Sequence, residues 1–319
     1  MVKNQLPPLV TSIKSHKLQE INYAYQKSIS FSQMSMFNKC PKQWQLQYRD
    51  GHMENTSNVH TVFGTAMHET LQNWCDVAFN QSVTAANKIN LLDYFWEAFF
   101  KDAKKNLTKA LPKEEFLAVE NDVPAILDYF TKNNGWIFSR GNKKGGKWTL
   151  VDIELPVVLS PNFNYSNVVY KGYLDLVFYH ERSNKIKIID IKTSTKGWNK
   201  WQKKDDSKQA QLLLYKKFFM EQFNIPMDNI EVEFIIFSRQ AKENPYSGAK
   251  THVETFSSFA QGKNKINKAW KELNNFIIEC FETSGKYKDK EYEAKPDKWG
   301  CTFCPFKDNK LLCEVGVSS

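Results

Sequence analysis

The stretch Ile-Lys-Ile-Ile-Asp-Ile-Lys at residues 186–192 decides how this chain is expected to fold. Its run of isoleucines is typical of a buried β-strand, and it places Asp190 and Lys192 two positions apart. Side chains two residues apart on a strand lie on the same face, so a carboxylate and an ammonium are expected side by side. A second strand-like segment upstream carries Asp175. Together they indicate a plausible metal site with a charged neighbour.

The elements around this stretch predict an α/β core with a mixed central sheet. Strands are expected at about 147–159, 168–179, 185–192 and 232–237. Helices are expected at about 33–48, after Gly64, at about 208–223 and at about 263–281. Pro41 disturbs the first helix immediately after Cys40.

The predicted domain organisation is simple. Residues 1–29 are polar and irregular and are expected to form a flexible arm, and residues 30–319 are expected to form a single domain. Within that domain the prediction places a helical insertion at 80–146, the αβ core with the candidate site at 147–240, and a cysteine-rich segment at 282–319.

The charge balance is basic, because 44 Lys plus Arg stand against 35 Asp plus Glu and give a net charge of +9. A positive field favours nucleic acid, although a surface tuned for solubility is an equal alternative. No apolar stretch approaches the ~18 residues of a membrane span, and the N-terminus lacks the apolar core of a secretory signal. We therefore expect a cytoplasmic protein with no membrane partner.

The individual candidate residues leave alternatives open. Asp175 projects among apolar neighbours, so it is expected to meet a cation, a metal ion or a hydrogen-bond network; a structural pair with a lysine is the alternative. His68 lies beside the apolar stripe of the helix after Gly64, where a core histidine is as ordinary as a ligand. Gln211 and Tyr215 share a helix face at i,i+4 spacing.

The cysteines form two groups. Cys75 and Cys280 stand alone and are expected to be ordinary buried thiols. A second group could supply four soft metal ligands, three of them near the C-terminus: Cys40, Cys301, Cys304 and Cys313. Such a set suits either Zn²⁺ or an iron–sulfur cluster, and the spacing does not separate the two.

The loop after Lys192 is basic and aromatic. Its lysines and tryptophans are Lys196, Trp198, Lys200, Trp201, Lys203, Lys204 and Lys208. Lysines with interleaved aromatic rings suit a single nucleic acid strand, whose phosphates need charge and whose bases stack. A solvated charge run with two packing tryptophans is the alternative.

Taken together, these pieces resemble the RecB-like branch of the PD-(D/E)XK nuclease superfamily. The matching stretches are Phe-Gly-Thr-Ala-Met-His at 63–68, Lys-Gly-Tyr-Leu-Asp at 171–175, Ile-Asp-Ile-Lys-Thr at 189–193 and Gln-Leu-Leu-Leu-Tyr at 211–215. The Cys40-Pro41 helix and the Cys301-x-x-Cys304 tail resemble the iron–sulfur members, which include AddB-type recombination nucleases and CRISPR-adaptation nucleases. The resemblance covers roughly residues 30–76 and 150–315.

The resemblance implies a restriction-endonuclease-like fold and a metal-dependent DNA exonuclease that leaves 5′-phosphates. The ligands of Mg²⁺ or Mn²⁺ would be His68, Asp175, Asp190 and the carbonyl of Ile191. Lys192 would orient the attacking water and stabilise developing negative charge. Gln211 and Tyr215 are also expected among the catalytic residues, where they would brace the site or contact the DNA strand. Glu154 sits where relatives often carry an acid.

The resemblance also favours a four-iron, four-sulfur (4Fe-4S) cluster on the four cysteines over zinc, joining the N- and C-terminal segments. The expected substrate is DNA, as a single strand or a duplex end, in recombination, repair or phage DNA processing. A separate recombinase or helicase is an expected partner, in a bacterium or in the host cytoplasm of a phage. The alternatives are a CRISPR-adaptation nuclease and a non-catalytic DNA-binding subunit with the same fold.

Overall fold

The computed structural model describes residues 6–52, 57–107, 111–139, 148–243, 248–257 and 261–315. The chain divides into two compact units, and each unit is assembled from three separate segments. Unit 1 consists of Met1–Lys17, Ser57–Leu155 and Tyr173–Gln261. Unit 2 consists of Leu18–Thr56, Pro156–Gly172 and Gly262–Ser319.

Helices account for much of the described chain. They are α1 (Pro8–Lys14), α2 (Phe31–Lys39), α3 (Pro41–Trp44), α4 (Val59–Asn80), α5 (Val83–Ala86), α6 (Leu91–Asn106), α7 (Lys113–Ser139), α8 (Lys200–Lys204), α9 (Asp206–Phe223), α10 (Lys263–Cys280) and α11 (Lys298–Thr302). A single π-helical turn, Gln45–Arg49, follows α3. Of the described residues, no helix has both the length and the apolar character needed to cross a membrane.

The strands form one mixed sheet. They are β1 (Lys27–Ile29), β2 (Trp148–Leu159), β3 (Val168–His180), β4 (Lys185–Ser194), β5 (Ile230–Glu243) and β6 (Lys250–Ser257). The order is β1-β3-β4-β5-β6, and β2 also pairs with β3. The β1–β3 and β4–β5 pairs are parallel, whereas β3–β4 and β5–β6 are antiparallel. The predicted mixed sheet with flanking helices is thereby confirmed.

The hairpin β3–β4 fixes the register on which the candidate site depends. Leu176 pairs with Ile189, and His180 pairs with Lys185. Asn184 closes the turn with φ of 49°, a left-handed conformation that asparagine tolerates better than most residues. Both strands are mostly buried along their paired stretch, as expected of strands covered on either side.

The parallel pair β4–β5 needs a crossover connection, and α9 supplies it and packs on both strands. In the register of this pair Asp190 lies beside Phe234 and Lys192 beside Ile236. On the face of the sheet opposite α9, the core of unit 1 includes the helices α4, α6 and α7. Its members include Phe63, Phe95 and Phe130, all nearly inaccessible to solvent.

Unit 2 has an aromatic core of its own around the fully buried Trp44. The Phe37, Phe276, Tyr287 and Tyr292 rings lie with their centroids 5.6–5.7 Å from that of Trp44. Edge-on aromatic contacts of this kind stabilise a core beyond the area they bury.

Several boundaries differ from the sequence-based expectation. The N-terminal 29 residues, expected to be an irregular arm, contain α1 and β1. The helix expected at 33–48 is broken at Cys40, which adopts an extended conformation before Pro41, because a residue before proline is disfavoured in the helical region. The helical segment expected as an insertion at 80–146 packs into the core of unit 1. Its predicted end lies outside the described residues.

Candidate active site

Two strands and two helices of unit 1 supply the residues that the sequence singles out. β3 supplies Asp175, and β4 supplies Asp190 and Lys192. Helix α4 supplies His68, and α9 supplies Gln211 with Tyr215. The hairpin places the two carboxylates close enough for the negative charge of Asp190 to raise the pKa of Asp175.

Asp175 is almost fully buried, with 9% of its surface exposed. Its Oδ2 atom accepts a hydrogen bond of 2.6 Å from the backbone N–H of Ile191. The same oxygen lies 3.6 Å from Nδ1 of His68. Burial, and then the negative charge of Asp190, raise the pKa of Asp175 well above its usual range. Burial therefore disfavours the ionised form of Asp175, and the neighbouring carboxylate of Asp190 adds to that effect.

Asp190 is 1% exposed, and its Oδ2 atom lies 2.7 Å from Nζ of Lys192. The two groups form a close ion pair, and this buried oxygen has no further hydrogen-bond partner among the described residues. Burial lowers the pKa of Lys192, but the charges of Asp190 and Asp175 outweigh it, and the pKa of the ammonium is raised. Lys192 is therefore a permanent cation at neutral pH.

His68 is neutral at physiological pH, because burial lowers its pKa to about 4. Its ring forms a hydrogen bond with the backbone of Ile191. Helix α4 approaches β4 closely at this point, since a Cβ added to Gly64 would lie 3.2 Å from Oγ1 of Thr193. A neutral imidazole has a free lone pair, the form in which histidine binds metal ions.

A hydrogen-bonded pair next to Asp175 was not predicted as a unit from the sequence. Gln72, one helical turn after His68 on α4, donates a 2.6 Å hydrogen bond to Oε1 of Glu154 and contacts the carbonyl of Asp175 at 3.4 Å. Glu154 adopts φ of 52° within β2, an uncommon conformation for a residue other than glycine. The spacing of Gln72 after His68 was visible in the sequence, but the backbone conformation of Glu154 was not.

Gln211 and Tyr215 are joined as their i,i+4 spacing predicts. The Gln211 amide donates a hydrogen bond of 2.9 Å to the Tyr215 hydroxyl. This bond orients both side chains on one face of α9. Their roles in catalysis stay predictions.

The donor atoms suit a hard divalent cation, although the described residues do not form a closed coordination shell. No group of three or more His, Cys, Asp or Glu side chains within the described ranges is arranged to hold an ion as it stands. Asp175 faces the Ile191 N–H and Asp190 faces Lys192. Two carboxylates and a neutral imidazole are nevertheless the ligand types that Mg²⁺ and Mn²⁺ accept.

The four candidate cysteine ligands all belong to unit 2 and are half-buried free thiols. Burial raises the pKa of Cys304, and Cys40, Cys313 and Cys301 are all close enough to raise it further. Sγ of Cys40 accepts a 3.5 Å hydrogen bond from the backbone N–H of Lys295. The fold thus draws Cys40 towards cysteines more than 250 residues away in sequence, but within the described ranges these thiols are not arranged as a closed metal site.

Three comparisons relate this chain to known proteins. The family model for the PD-(D/E)XK nuclease superfamily matches residues 28–309. A search among curated proteins finds no match. Among solved structures, the chain is similar to a crystal structure from Eubacterium rectale that bears the description "Putative exonuclease". That likeness has 12% sequence identity and a TM-score of 0.45, and it covers 87% of this chain and 90% of the other.

Proposed function

This chain belongs to the PD-(D/E)XK nuclease superfamily, and from that premise we propose that it is a metal-dependent DNA exonuclease. It would hydrolyse phosphodiester bonds and leave 5′-phosphates. The observation that carries the proposal is the pairing of Asp190 with Lys192 at 2.7 Å beside the buried Asp175. A purely structural ion pair would not need a second buried carboxylate with a raised pKa next to it.

The residues present fit a divalent metal ion. Asp190 has a buried oxygen that faces the Lys192 ammonium and has no further hydrogen-bond partner among the described residues, and His68 is held in the neutral form. We propose that His68, Asp175, Asp190 and the carbonyl of Ile191 hold Mg²⁺ or Mn²⁺. When bound, such an ion lowers the pKa of a bound water and neutralises charge on the scissile phosphate.

The other side chains of the site have separate tasks in this proposal. The Lys192 ammonium, fixed by Asp190, would orient the attacking water and stabilise the negative charge that develops on the phosphate. A fixed cation in a water-poor site is worth far more than one in bulk water. Gln211 and Tyr215 would brace α9 against the site or contact the DNA strand.

We further propose that the four half-buried thiols hold a 4Fe-4S cluster, with Zn²⁺ as the less favoured occupant. The support is that one fold unit gathers Cys40, Cys301, Cys304 and Cys313 as free thiols. A backbone N–H already points at the sulfur of Cys40, and hydrogen bonds to sulfur are among the contacts that tune such clusters. The cluster would join the N- and C-terminal segments of unit 2, as in the RecB-like, AddB-type branch.

In this proposal the nuclease acts in the cytoplasm in recombination, repair or phage DNA processing, and it works beside a separate recombinase or helicase. One alternative is a CRISPR-adaptation nuclease that trims spacer precursors. The other is a non-catalytic DNA-binding subunit. The intact set of His68, Asp175, Asp190 and Lys192 favours the catalytic reading, because a site that no longer cuts is free to lose any of them.

The decisive experiment is a nuclease assay on end-labelled single- and double-stranded DNA with Mn²⁺ or Mg²⁺. Asp190→Ala and Lys192→Ala should each lower the rate by about 10²–10³-fold or more. The matched control is Lys187→Ala on the same strand as Asp190; it breaks a half-buried 3.5 Å ion pair with Glu233 of β5 and should leave the rate within about twofold of the original. Full activity in both site variants, with the fold retained, would refute the assigned site.

A further inference from the structure

The basic loop between β4 and α9 divides into an anchored part and an exposed part. Trp198 belongs to the anchored part, because it is 8% exposed and its ring centroid lies 4.9 Å from that of Phe234. The Lys208 ammonium lies 5.1 Å from the centroid of the same indole. Trp198 is therefore a packing residue.

The side chain of Lys203 is also held by contacts within the protein. Its ammonium forms an ion pair with Glu254 of β6. The other oxygen of Glu254 lies 2.8 Å from Nζ of Lys242, which donates a 2.8 Å hydrogen bond to the carbonyl of Trp198. Burial lowers the pKa of both lysines. These contacts attach α8 firmly to the β5–β6 hairpin.

Trp201 is the opposite case, because 70% of its surface is exposed although its backbone is fixed. The side chain of Asn199 accepts hydrogen bonds of 2.9 Å from the N–H groups of Trp201 and Gln202, and Gln202 accepts one in return from Asn199. This capping box holds the first turn of α8 rigid. The indole is thus presented to solvent on a fixed base.

Exposed cations surround this indole. Nζ of Lys200 lies 5.1 Å from the Trp201 ring centroid. Lys196, Lys200 and Lys204 are all exposed, and none of them makes an ion pair within the described part of the chain. Helix α8 also lies in sequence between the strand that carries Lys192 and the helix that carries Gln211.

We propose that Trp201 is a base-stacking platform for single-stranded DNA, with Lys196, Lys200 and Lys204 contacting its phosphates. A flat, rigid and exposed indole with free cations matches the way proteins bind single strands, since every unpaired base has an open π-face. In a duplex those faces are covered by neighbouring bases. The inference rests on the proposed function for its choice of DNA and deepens it by naming the strand form.

The test measures binding in EDTA, where no cutting occurs, by the fluorescence anisotropy of a labelled oligo-dT. Trp201→Ala should bind about tenfold more weakly, and Trp201→Phe should stay within about threefold of the original. The matched control is Phe163→Ala, which removes an aromatic ring that is 95% exposed in unit 2 and should leave binding unchanged. Equal binding by Trp201→Ala and the original protein would overturn the proposal.

An oligonucleotide with abasic sites separates stacking from charge. On that strand Trp201→Ala should have no effect, whereas Lys200→Gln should weaken binding to both strands and flatten the salt dependence. An equal loss for Trp201→Ala on abasic strand or on duplex would contradict stacking on unpaired bases. A protein that binds through Trp201 but never cuts would refute the exonuclease and leave this platform standing. A protein that cuts DNA, and whose binding is unchanged by Trp201→Ala, would refute the platform and leave the exonuclease standing.

Discussion

Neutralising Asp190 should make the metal-free protein more stable and the metal-loaded protein less stable. Asp190 and Asp175 are 1% and 9% exposed, and the adjacent cation is Lys192. The metal-free site therefore buries two carboxylates beside Lys192, and the pKa of Asp175 is raised, first by burial and then by the charge of Asp190. Asp190→Asn keeps the shape and removes the charge of Asp190.

Two effects set the magnitude. Relief of the repulsion should raise the free energy of unfolding by about 1 kcal/mol in chelator, or about 2–4 °C in Tm for a domain of this size. Lys192 loses its 2.7 Å partner but keeps the charge of Asp175 nearby. In contrast, Mn²⁺ at 100 times its Kd should stabilise the original protein by about 2.7 kcal/mol. The variant should gain little from Mn²⁺.

The assay is urea denaturation followed by circular dichroism, once with EDTA and once with Mn²⁺. The two unfolding curves should exchange order between the conditions. Glu233→Gln is the matched control, because it also converts a carboxyl to an amide, at a half-buried position on the neighbouring strand β5. It should keep the full response to Mn²⁺. An Asp190→Asn protein that is less stable in EDTA and still responds to Mn²⁺ would refute the reasoning.

Three further predictions follow from the same structure. In chelator, the original protein should exceed Asp175→Asn in free energy of unfolding, and this difference should be largest below about pH 3.8, the pKa of the unfolded carboxyl. The difference should be lost as the pH rises through the raised pKa of folded Asp175. A difference that grows with pH in urea titrations would contradict this. Anaerobically purified protein should be brown with about four iron atoms per chain; Cys40→Ser should lose the iron and Cys280→Ala should keep it, whereas colourless protein with stoichiometric zinc would exclude the cluster. Gly285→Ala should destabilise by well over the ~1–2 kcal/mol expected for Gly51→Ala in thermal unfolding. Both glycines have positive φ, but a Cβ at Gly285 would lie 2.9 Å from the Asn167 carbonyl, while Gly51 faces open space; equal losses would show that the contact is unimportant.

The regular elements of the αβ core could be read from the sequence because their hydrophobic periods are long and bounded by turn residues. The strands expected at 168–179 and 185–192 are observed at Val168–His180 and Lys185–Ser194. Two strands were missed. β1 has three residues, and β6 has only two apolar side chains, Val253 and Phe256, which do not follow the alternation of a strand. Neither therefore gives a distinct signal, and long-range pairing decides both.

The residues of the candidate site were identified by their order along the chain, whereas their contacts were not. The i,i+4 hydrogen bond of Gln211 with Tyr215 follows from helical geometry. The contact of Gln72 with Glu154 depends on a left-handed backbone in β2, which no local pattern predicts. Likewise Trp198 and Trp201 stand in similar sequence surroundings. Trp198 is buried against Phe234 and beneath the Lys208 ammonium, whereas Trp201 is exposed.

The three-segment composition of unit 2 has a consequence for how the chain folds during synthesis. Its first segment, Leu18–Thr56, leaves the ribosome about 200 residues before its last segment, which begins at Gly262. At about 5–20 residues per second this interval lasts about 10–40 s. During that time Trp44 is without Phe276, Tyr287 and Tyr292, its partners in the aromatic core. Cys40 likewise precedes the other three thiols, so the proposed cluster can be assembled only after Cys313 has been synthesised.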